Sequence, residues 1–183
     1  MRWMWIDAIT HHEPNARMVA VKNISMAEEH LHDHFAQDES GAACPVMPTS
    51  LVVEGTAQTA GILVGSVHGF REKVILAKIS SFRLDIDPRP GQTLRYDARI
   101  ERMDASGAST ETVISVLDHS DAAAGGDGAS DAAAQWREVG RSSLMFSHID
   151  QNRSGLQFPK ENFVFSENFR TILRSAGLEG LAS

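Results

Sequence analysis

The sequence predicts an α+β fold in which an antiparallel sheet wraps around one buried helix. Two prolines, Pro45 and Pro48, interrupt regular structure and mark a helix entry, with Thr49 or Ser50 as the expected N-cap. The apolar residues beyond this entry cover every helical face, which is typical of a buried helix: Leu51, Val52, Val53, Ala57, Ala60, Ile62, Leu63 and Val64. Segments rich in β-branched residues flank the helix and predict the sheet.

The strands are predicted on both sides of this helix. One covers residues 16–25, and His11-His12 before it indicates a turn at a strand end. Residues 26–48 are predicted to be irregular. Four strands follow the helix, over residues 74–84, 93–103, 109–118 and 135–147.

Two local patterns refine this fold. Tyr96, Ala98 and Ile100 alternate with charged residues, so one face of their strand is expected to be wet. The segment Asp87-Pro88-Arg89-Pro90-Gly91 is a strong turn signal before it. Within the helix, glycines weaken the intrinsic propensity and predict close packing against a backbone: Gly55, Gly61 and Gly65.

The domain organisation is expected to be simple. The chain has 183 residues, enough for one domain with a real core. We expect this domain over residues 1–149, with a flexible insertion of Ala, Gly, Asp and Ser at about 118–134. A C-terminal extension over 150–183 contains a short amphipathic helix, predicted from Ser166 to Ala176.

Composition excludes several classes of function. The net charge of −7 argues against a nucleic-acid binder. An acidic partner would need a local basic patch, for which six residues are candidates: Arg71, Lys73, Lys78, Arg83, Arg89 and Arg95. A single cysteine, Cys44, excludes an intramolecular disulfide and fits a reducing compartment. No apolar stretch is long enough for a signal peptide or a membrane span, so a soluble cytoplasmic protein is expected.

Glu54 is the most informative residue, because it is the one formal charge between Ser40 and Phe70. A carboxylate in such an apolar helix must be paired, hydrogen-bonded or kept neutral. Gln58, four residues later, shares its helical face and forms a polar stripe with it. A neutral carboxylic acid donates a proton and a histidine accepts one near neutral pH. A cluster of histidines precedes the helix, so the pattern favours acid/base chemistry on an apolar substrate; the cluster is His30, His32 and His34.

Other interpretations of these residues stay open at this point. Glu54 could be a structural carboxylate held by Gln58. The three alternating histidines could point one way on an extended segment as metal ligands, although no further ligand has convincing spacing. Cys44 lacks a motif that would stabilise a thiolate nucleophile. The glycines from Gly125 to Gly128 do not follow a strand that leads into a helix, so they predict no phosphate loop.

One segment resembles a known family. His34-Phe35, followed by Pro45-Val46-Met47-Pro48-x-x-Leu51-x-x-Glu54-Gly55-x-Ala57-Gln58, is similar to the helix-entry block of the FabA/FabZ-type β-hydroxyacyl-acyl carrier protein dehydratases. Met4-Trp5-Ile6-Asp7 looks like the opening strand of that family and Ala20 to Ser25 like the next one. Phe82-Arg83 and Arg89-Pro90-Gly91 match a later strand and turn. The resemblance covers roughly residues 1–148 and implies the hotdog fold.

The resemblance also implies a reaction and a site. Similar enzymes dehydrate a 3-hydroxyacyl thioester on acyl carrier protein to the trans-2-enoyl product, without metal or redox cofactor. His34 would be the base, its ring held by the carbonyl of Val46. Glu54 of the other subunit of a homodimer would be the acid, and the Thr49 N–H would bind the thioester oxygen. Gln58 and Phe82 would contact substrate. Assembly of dimers into a trimer of dimers stays open.

Four departures from the family pattern keep rival functions in view. Nine residues, Ala36 to Cys44, separate Phe35 from Pro45, more than in the family, and the family's Pro-Gly pair is missing. Thr49 replaces the glycine that opens the helix, and Gly55 replaces an alanine. A hotdog acyl-binding protein that has lost turnover is one rival. An acyl-CoA thioesterase or hydratase, which would not need His34, is the other.

Overall fold

The computed structural model describes residues 4–33, 37, 39, 41–119, 135–148 and 167–181. Within these residues it contains six strands, three α-helices and a final turn of 3-10 helix, in this chain order: β1 Ala8–Glu13, β2 Arg17–Asn23, α1 Glu29–Asp33, α2 Thr49–Val67, β3 Val74–Leu84, β4 Gln92–Asp104, β5 Gly107–Asp118, β6 Arg137–His148, α3 Glu167–Ser175 and the 3-10 turn Glu179–Leu181. The predicted insertion at 118–134 lies almost entirely outside the described residues.

The strands form one antiparallel sheet in the order β1-β2-β4-β5-β6-β3. α2 packs across one face of this sheet and contacts β2, β3, β4, β5 and β6. The predicted arrangement, a sheet wrapped around a long helix, is therefore confirmed, and the predicted bounds of β3 match those observed. Tyr96 and Ala98 are buried while Arg99 and Glu101 are exposed, so β4 also has the predicted wet face.

The glycines of α2 pack against aromatic side chains rather than against a backbone, which corrects the sequence expectation. A Cβ atom on Gly55 would lie 2.6 Å from the Tyr96 hydroxyl oxygen, and one on Gly65 would lie 2.8 Å from the Phe70 ring. Both aromatic residues are buried. The small residues thus let two large rings reach the helix surface, which fixes how deeply α2 sits in the sheet.

The chain before α2 differs from the prediction in three places. Met4 to Asp7 is not a strand; β1 begins at Ala8 and includes His11 and His12, which pair with Val19 and Met18. The chain reverses instead at Asn15, whose φ of 63° suits a turn. The segment predicted to be irregular contains α1, because the Ser25-to-Glu28 turn starts a helix and Leu31 buries its side chain in the core.

The start of α2 also differs in detail. Pro48, not Thr49 or Ser50, occupies the cap position, and no side chain caps the helix. The Pro48 carbonyl instead accepts hydrogen bonds from Leu51 N–H (2.9 Å) and Val52 N–H (3.3 Å). Met47 N–H donates to the Pro88 carbonyl (2.7 Å), so the turn before β4 holds the entry of the helix in place.

The C-terminal helix packs on the sheet domain. α3 contacts β1, and Phe169 meets Phe70 edge to face with ring centroids 6.3 Å apart. Ile172 and Leu173 are buried with Phe169, as the amphipathic pattern predicts for this segment. No helix in the described part of the chain is long and apolar enough to cross a membrane.

Candidate active site

The polar stripe predicted on α2 is present. Gln58 Nε2 donates a hydrogen bond to Glu54 Oε1 (3.0 Å), and Gln58 Oε1 accepts one from the Trp5 backbone N–H (2.8 Å). The carboxamide orientation follows from this pair, because a backbone N–H must face the oxygen of the amide group. The nitrogen of Gln58 is thereby directed at Glu54.

Glu54 is less buried than the sequence indicates. It is half-buried, as are Leu51 and Gln58 on the same side of α2, whereas the opposite side of the helix is buried. The apolar sequence of α2 suggested burial on all sides because apolar residues also occur on the part-exposed side. Glu54 is therefore a carboxylate at the open face of the helix, held on one oxygen by Gln58.

The remaining predicted site residues do not all lie beside Glu54. Thr49 is exposed at the first residue of α2, where the N–H groups of a helix have no acceptor within the helix. Val46 is buried just before it, and Phe82 is half-buried on β3 against the core. Gln58, predicted to contact substrate, donates a hydrogen bond to Glu54. His34 lies outside the described residues, one position after the end of α1.

A separate cavity of about 550 Å³ lies between the N-terminal segment, the start of α1 and α3. Its walls include Trp5, Lys22, Glu28, His30 and Ile172, and they include none of the predicted site residues. We place the candidate site at Glu54 rather than in this cavity, because the polar stripe, the helix N-terminus and the matched sequence block all belong to α2.

Sequence reasoning missed a group of charged residues around Lys22. The ammonium group lies 3.1 Å from Asp7 Oδ1 and 2.5 Å from Glu28 Oε1, and the Lys22 side chain is only 6% exposed. The sequence does indicate that Lys22 is buried, because side chains two residues apart on a strand share a face. Met18 and Ala20, which precede Lys22 at this spacing on β2, are both fully buried.

Electrostatic shifts elsewhere concern stability rather than the site. Burial raises the pKa of Asp97, but the hydrogen bonds and charge of Arg17 outweigh it and bring that pKa below its usual value. Burial and the neighbouring His11 lower the pKa of His12. Burial, with smaller effects of Asp7 and Glu28, raises the pKa of Tyr96 far above its ordinary value, so its phenol stays neutral.

Metal binding gains no support from the described residues, in which no three His, Cys, Asp or Glu side chains are arranged to hold an ion. His30 instead meets the edge of the Trp5 ring, with centroids 5.1 Å apart. Cys44 is exposed, with its thiol free of any disulfide.

Comparison with known proteins decides the family. A model of the FabA-like domain matches residues 2–123, about two thirds of the chain. The protein belongs to this family. The match ends within the segment that follows β5, so β6 and α3 lie beyond it.

Several curated relatives are described as 3-hydroxyacyl-acyl-carrier-protein dehydratase FabZ. The chain is 32% identical over 99 residues to the protein of that name from Ruminiclostridium cellulolyticum, covering 54% of this chain and 66% of the relative. It is 33% identical over 102 residues to that of Chloroflexus aggregans, covering 55% and 67%. With the Solibacter usitatus protein it shares 32% identity over 118 residues, covering 62% and 67%. The matches thus span about two thirds of the relatives' length.

Solved structures show the fold. A thioesterase family protein from Silicibacter pomeroyi superposes with a TM-score of 0.53 at 9% identity, covering 76% of this chain and 82% of that one. An acyl-CoA hydrolase from Staphylococcus aureus gives a TM-score of 0.50 at 14% identity, covering 74% and 66%. The chain has the hotdog fold that these proteins share.

Proposed function

We propose that this protein dehydrates a 3-hydroxyacyl thioester carried on acyl carrier protein to the trans-2-enoyl thioester. The observation that carries the proposal is Glu54 at the open face of α2, held by Gln58 inside the block that matches the dehydratase pattern. The FabZ relatives and the FabA-like family support the same reaction. An open helix face that carries apolar residues beside one carboxylate suits an acyl chain, which is apolar.

The reaction is a β-elimination with one base and one acid. His34 takes the proton from C2, and the electron pair of that C–H bond forms the C2–C3 double bond. The C3–O bond breaks as Glu54 gives its proton to the leaving oxygen, so water departs. Gln58 binds Oε1 of Glu54, and we assign this proton to the other oxygen, Oε2.

The start of α2 can stabilise the charge that develops during this step. Proton removal from C2 places negative charge on the thioester oxygen. The Thr49 N–H, at the positive end of the helix, is the donor that we assign to this oxygen. Val46, just before it, would supply the carbonyl that orients His34.

We propose a homodimer formed through β3, so that Glu54 meets the partner subunit's His34. In the described residues no strand pairs with the outer edge of β3. Leu76 is 38% and Ile79 46% exposed, although both stand opposite buried residues of β6, Phe146 and Leu144, on the helix side of the sheet. An edge strand without a partner that exposes apolar side chains invites pairing with another chain.

An acidic carrier protein fits the charges around β3. Arg71, Lys78, Arg83 and Arg89 are exposed there, although Arg83 lies 3.2 Å from Asp85. Arg95 faces elsewhere, with its guanidinium 4.6 Å from the centre of the Trp136 ring. A local basic surface on a chain of net charge −7 favours docking of an acidic partner at this place.

The test is hydration of crotonyl-acyl carrier protein, followed by loss of enoyl absorbance. We expect activity in the wild type and its collapse in both His34→Ala and Glu54→Gln. Two exposed residues of the same types serve as controls, His11→Ala and Glu101→Gln, and these should keep wild-type rates. An inactive but folded wild type would overturn the proposal and favour an acyl-binding protein. Thioester hydrolysis that survives His34→Ala would favour the thioesterase.

A further inference from the structure

Lys22 carries a buried charge at the point where three segments meet. It lies near the end of β2, on the side of the sheet that faces α2, with Ala20 and Met18 preceding it in phase. A buried ammonium group is costly unless it is paired. Asp7 of the N-terminal segment and Glu28 of the turn before α1 supply the two carboxylates.

The contact of Lys22 with Asp7 is connected to Glu54 through the N-terminal segment. Asp7 Oδ2 accepts a hydrogen bond from Asn23 N–H (2.7 Å), and Asp7 N–H donates to the Val21 carbonyl (2.8 Å). These contacts fix the N-terminal segment against the end of β2. Two residues earlier, Trp5 N–H binds Gln58, which in turn binds Glu54. The position of the acid thus depends on the segment that Asp7 anchors.

The contact of Lys22 with Glu28 is connected to His34 through α1. The Glu28 N–H donates to the Ser25 carbonyl (3.0 Å), and the Leu31 N–H donates to the Glu28 carbonyl (3.0 Å). Glu28 therefore belongs to the turn from which α1 starts. α1 ends at Asp33, and His34 is the next residue of the chain. The ammonium group of Lys22 restrains this turn through the 2.5 Å contact with Glu28 Oε1.

We infer that Lys22 is a positioning residue for the proposed reaction: its ammonium group fixes both the segment that holds the acid, Glu54, and the segment that leads to the base, His34, and these two residues serve the two different sites of the proposed homodimer. The inference rests on the proposed function. Lys22 touches neither reacting group, and it acts by setting the place of Asp7 and Glu28. A misplacement of catalytic groups by about 1 Å can cost roughly 100-fold in rate.

A purely structural role makes a different prediction. Replacing all members of a buried ion pair by uncharged groups is often neutral or stabilising, whereas removing one partner leaves the remaining charge uncompensated and destabilises the fold. Lys22→Met combined with Asp7→Asn and Glu28→Gln, which leaves no charge behind, should therefore fold with nearly wild-type stability. If Lys22 positions the site, the same variant loses kcat although it remains folded.

The experiment measures kcat, KM and thermal stability of the full chain with crotonyl-acyl carrier protein. We expect Lys22→Met to lower kcat roughly 10- to 100-fold while KM changes little, and Lys22→Arg to restore part of kcat. The control is Arg17→Met on the same strand, which breaks the ion pair with Asp97 on the outer face and should leave kcat unchanged.

Two further variants keep the ammonium group and its burial. Asp7→Asn and Glu28→Gln should each lower kcat, and adding either to Lys22→Met should cost little more, because both act through the same contact. They decide the question if Lys22→Met fails to fold. An unchanged kcat in folded Lys22→Met, or in both carboxylate variants, overturns the inference. An inactive wild type would instead overturn the proposed function.

Discussion

Gln58 connects Trp5 to Glu54: its amide oxygen accepts the Trp5 N–H at 2.8 Å and its amide nitrogen donates to Glu54 Oε1 at 3.0 Å. The candidate acid of α2 is thus attached to a segment that is distant in sequence. A side chain that is fixed at both ends of its amide group orients the carboxylate.

Gln58→Leu tests this orientation. Loss of a hydrogen bond worth about 1 kcal/mol corresponds to a decrease of about fivefold in kcat. The measurement is kcat for crotonyl-acyl carrier protein, with the exposed Gln135→Leu as the matched control. A wild-type kcat in Gln58→Leu would show that Glu54 needs no such support.

Gly55→Ala tests the contact between α2 and the sheet. The added Cβ would lie 2.6 Å from the Tyr96 hydroxyl oxygen, and that ring is fully buried and unable to retreat. We expect a loss of about 1–3 kcal/mol in the free energy of unfolding, measured by urea titration. Gly180→Ala, with nothing within 4 Å of its Cβ, should be neutral. Equal stability of the two variants would contradict this packing.

Ile79→Lys tests the proposed dimer. Ile79 exposes an apolar side chain on the helix side of β3, and a charge in its place should prevent the apolar contact with a second chain, because burying an unpaired charge is costly. We expect a monomer in sedimentation velocity and a loss of dehydratase activity. Met26→Lys changes a similarly exposed apolar residue, 48% exposed and away from β3, and should leave the assembly intact. A dimer that survives Ile79→Lys would place the interface elsewhere.

The pair of Arg17 and Asp97 gives a pH-dependent effect on stability. The pKa of Asp97 is lowered in the folded state, so its stabilising effect is present above the unfolded pKa and is lost as pH falls through the folded pKa. Arg17→Met should cost about 1 kcal/mol near neutral pH and less under acidic conditions. Urea unfolding of wild type and Arg17→Met, at neutral pH and at acidic pH, measures this difference in the free energy of unfolding. A cost that does not decrease in acid would contradict the assignment to Asp97.

The sequence predicts the central helix and its sheet well, because α2 and β3 have long and consistent patterns. It fails at α1, since five residues are too few for a helical period to be visible. It also overestimates the burial of Glu54. The apolar residues on the open side of α2 are indistinguishable in sequence from core residues, and the chain alone does not say which side another subunit would cover.

The candidate site was predictable in part. The contact between Glu54 and Gln58 follows from their spacing of four residues on a helix. The Trp5 N–H that completes it does not, because a backbone donor leaves no mark in the amino-acid pattern. Lys22 was detectable by its phase on β2, but only its partners Asp7 and Glu28 show why a charge is tolerated there.

Complementation between two inactive variants tests the central claim most directly, namely a dehydratase site made by His34 of one subunit and Glu54 of the other. Differently tagged His34→Ala and Glu54→Gln chains are unfolded together, refolded and assayed for crotonyl-acyl carrier protein hydration. Random pairing in a twofold dimer gives about a quarter of wild-type activity, because half of the dimers are mixed and each has one intact site. Mixed dimers that form, as the tags report, yet remain inactive would contradict the account.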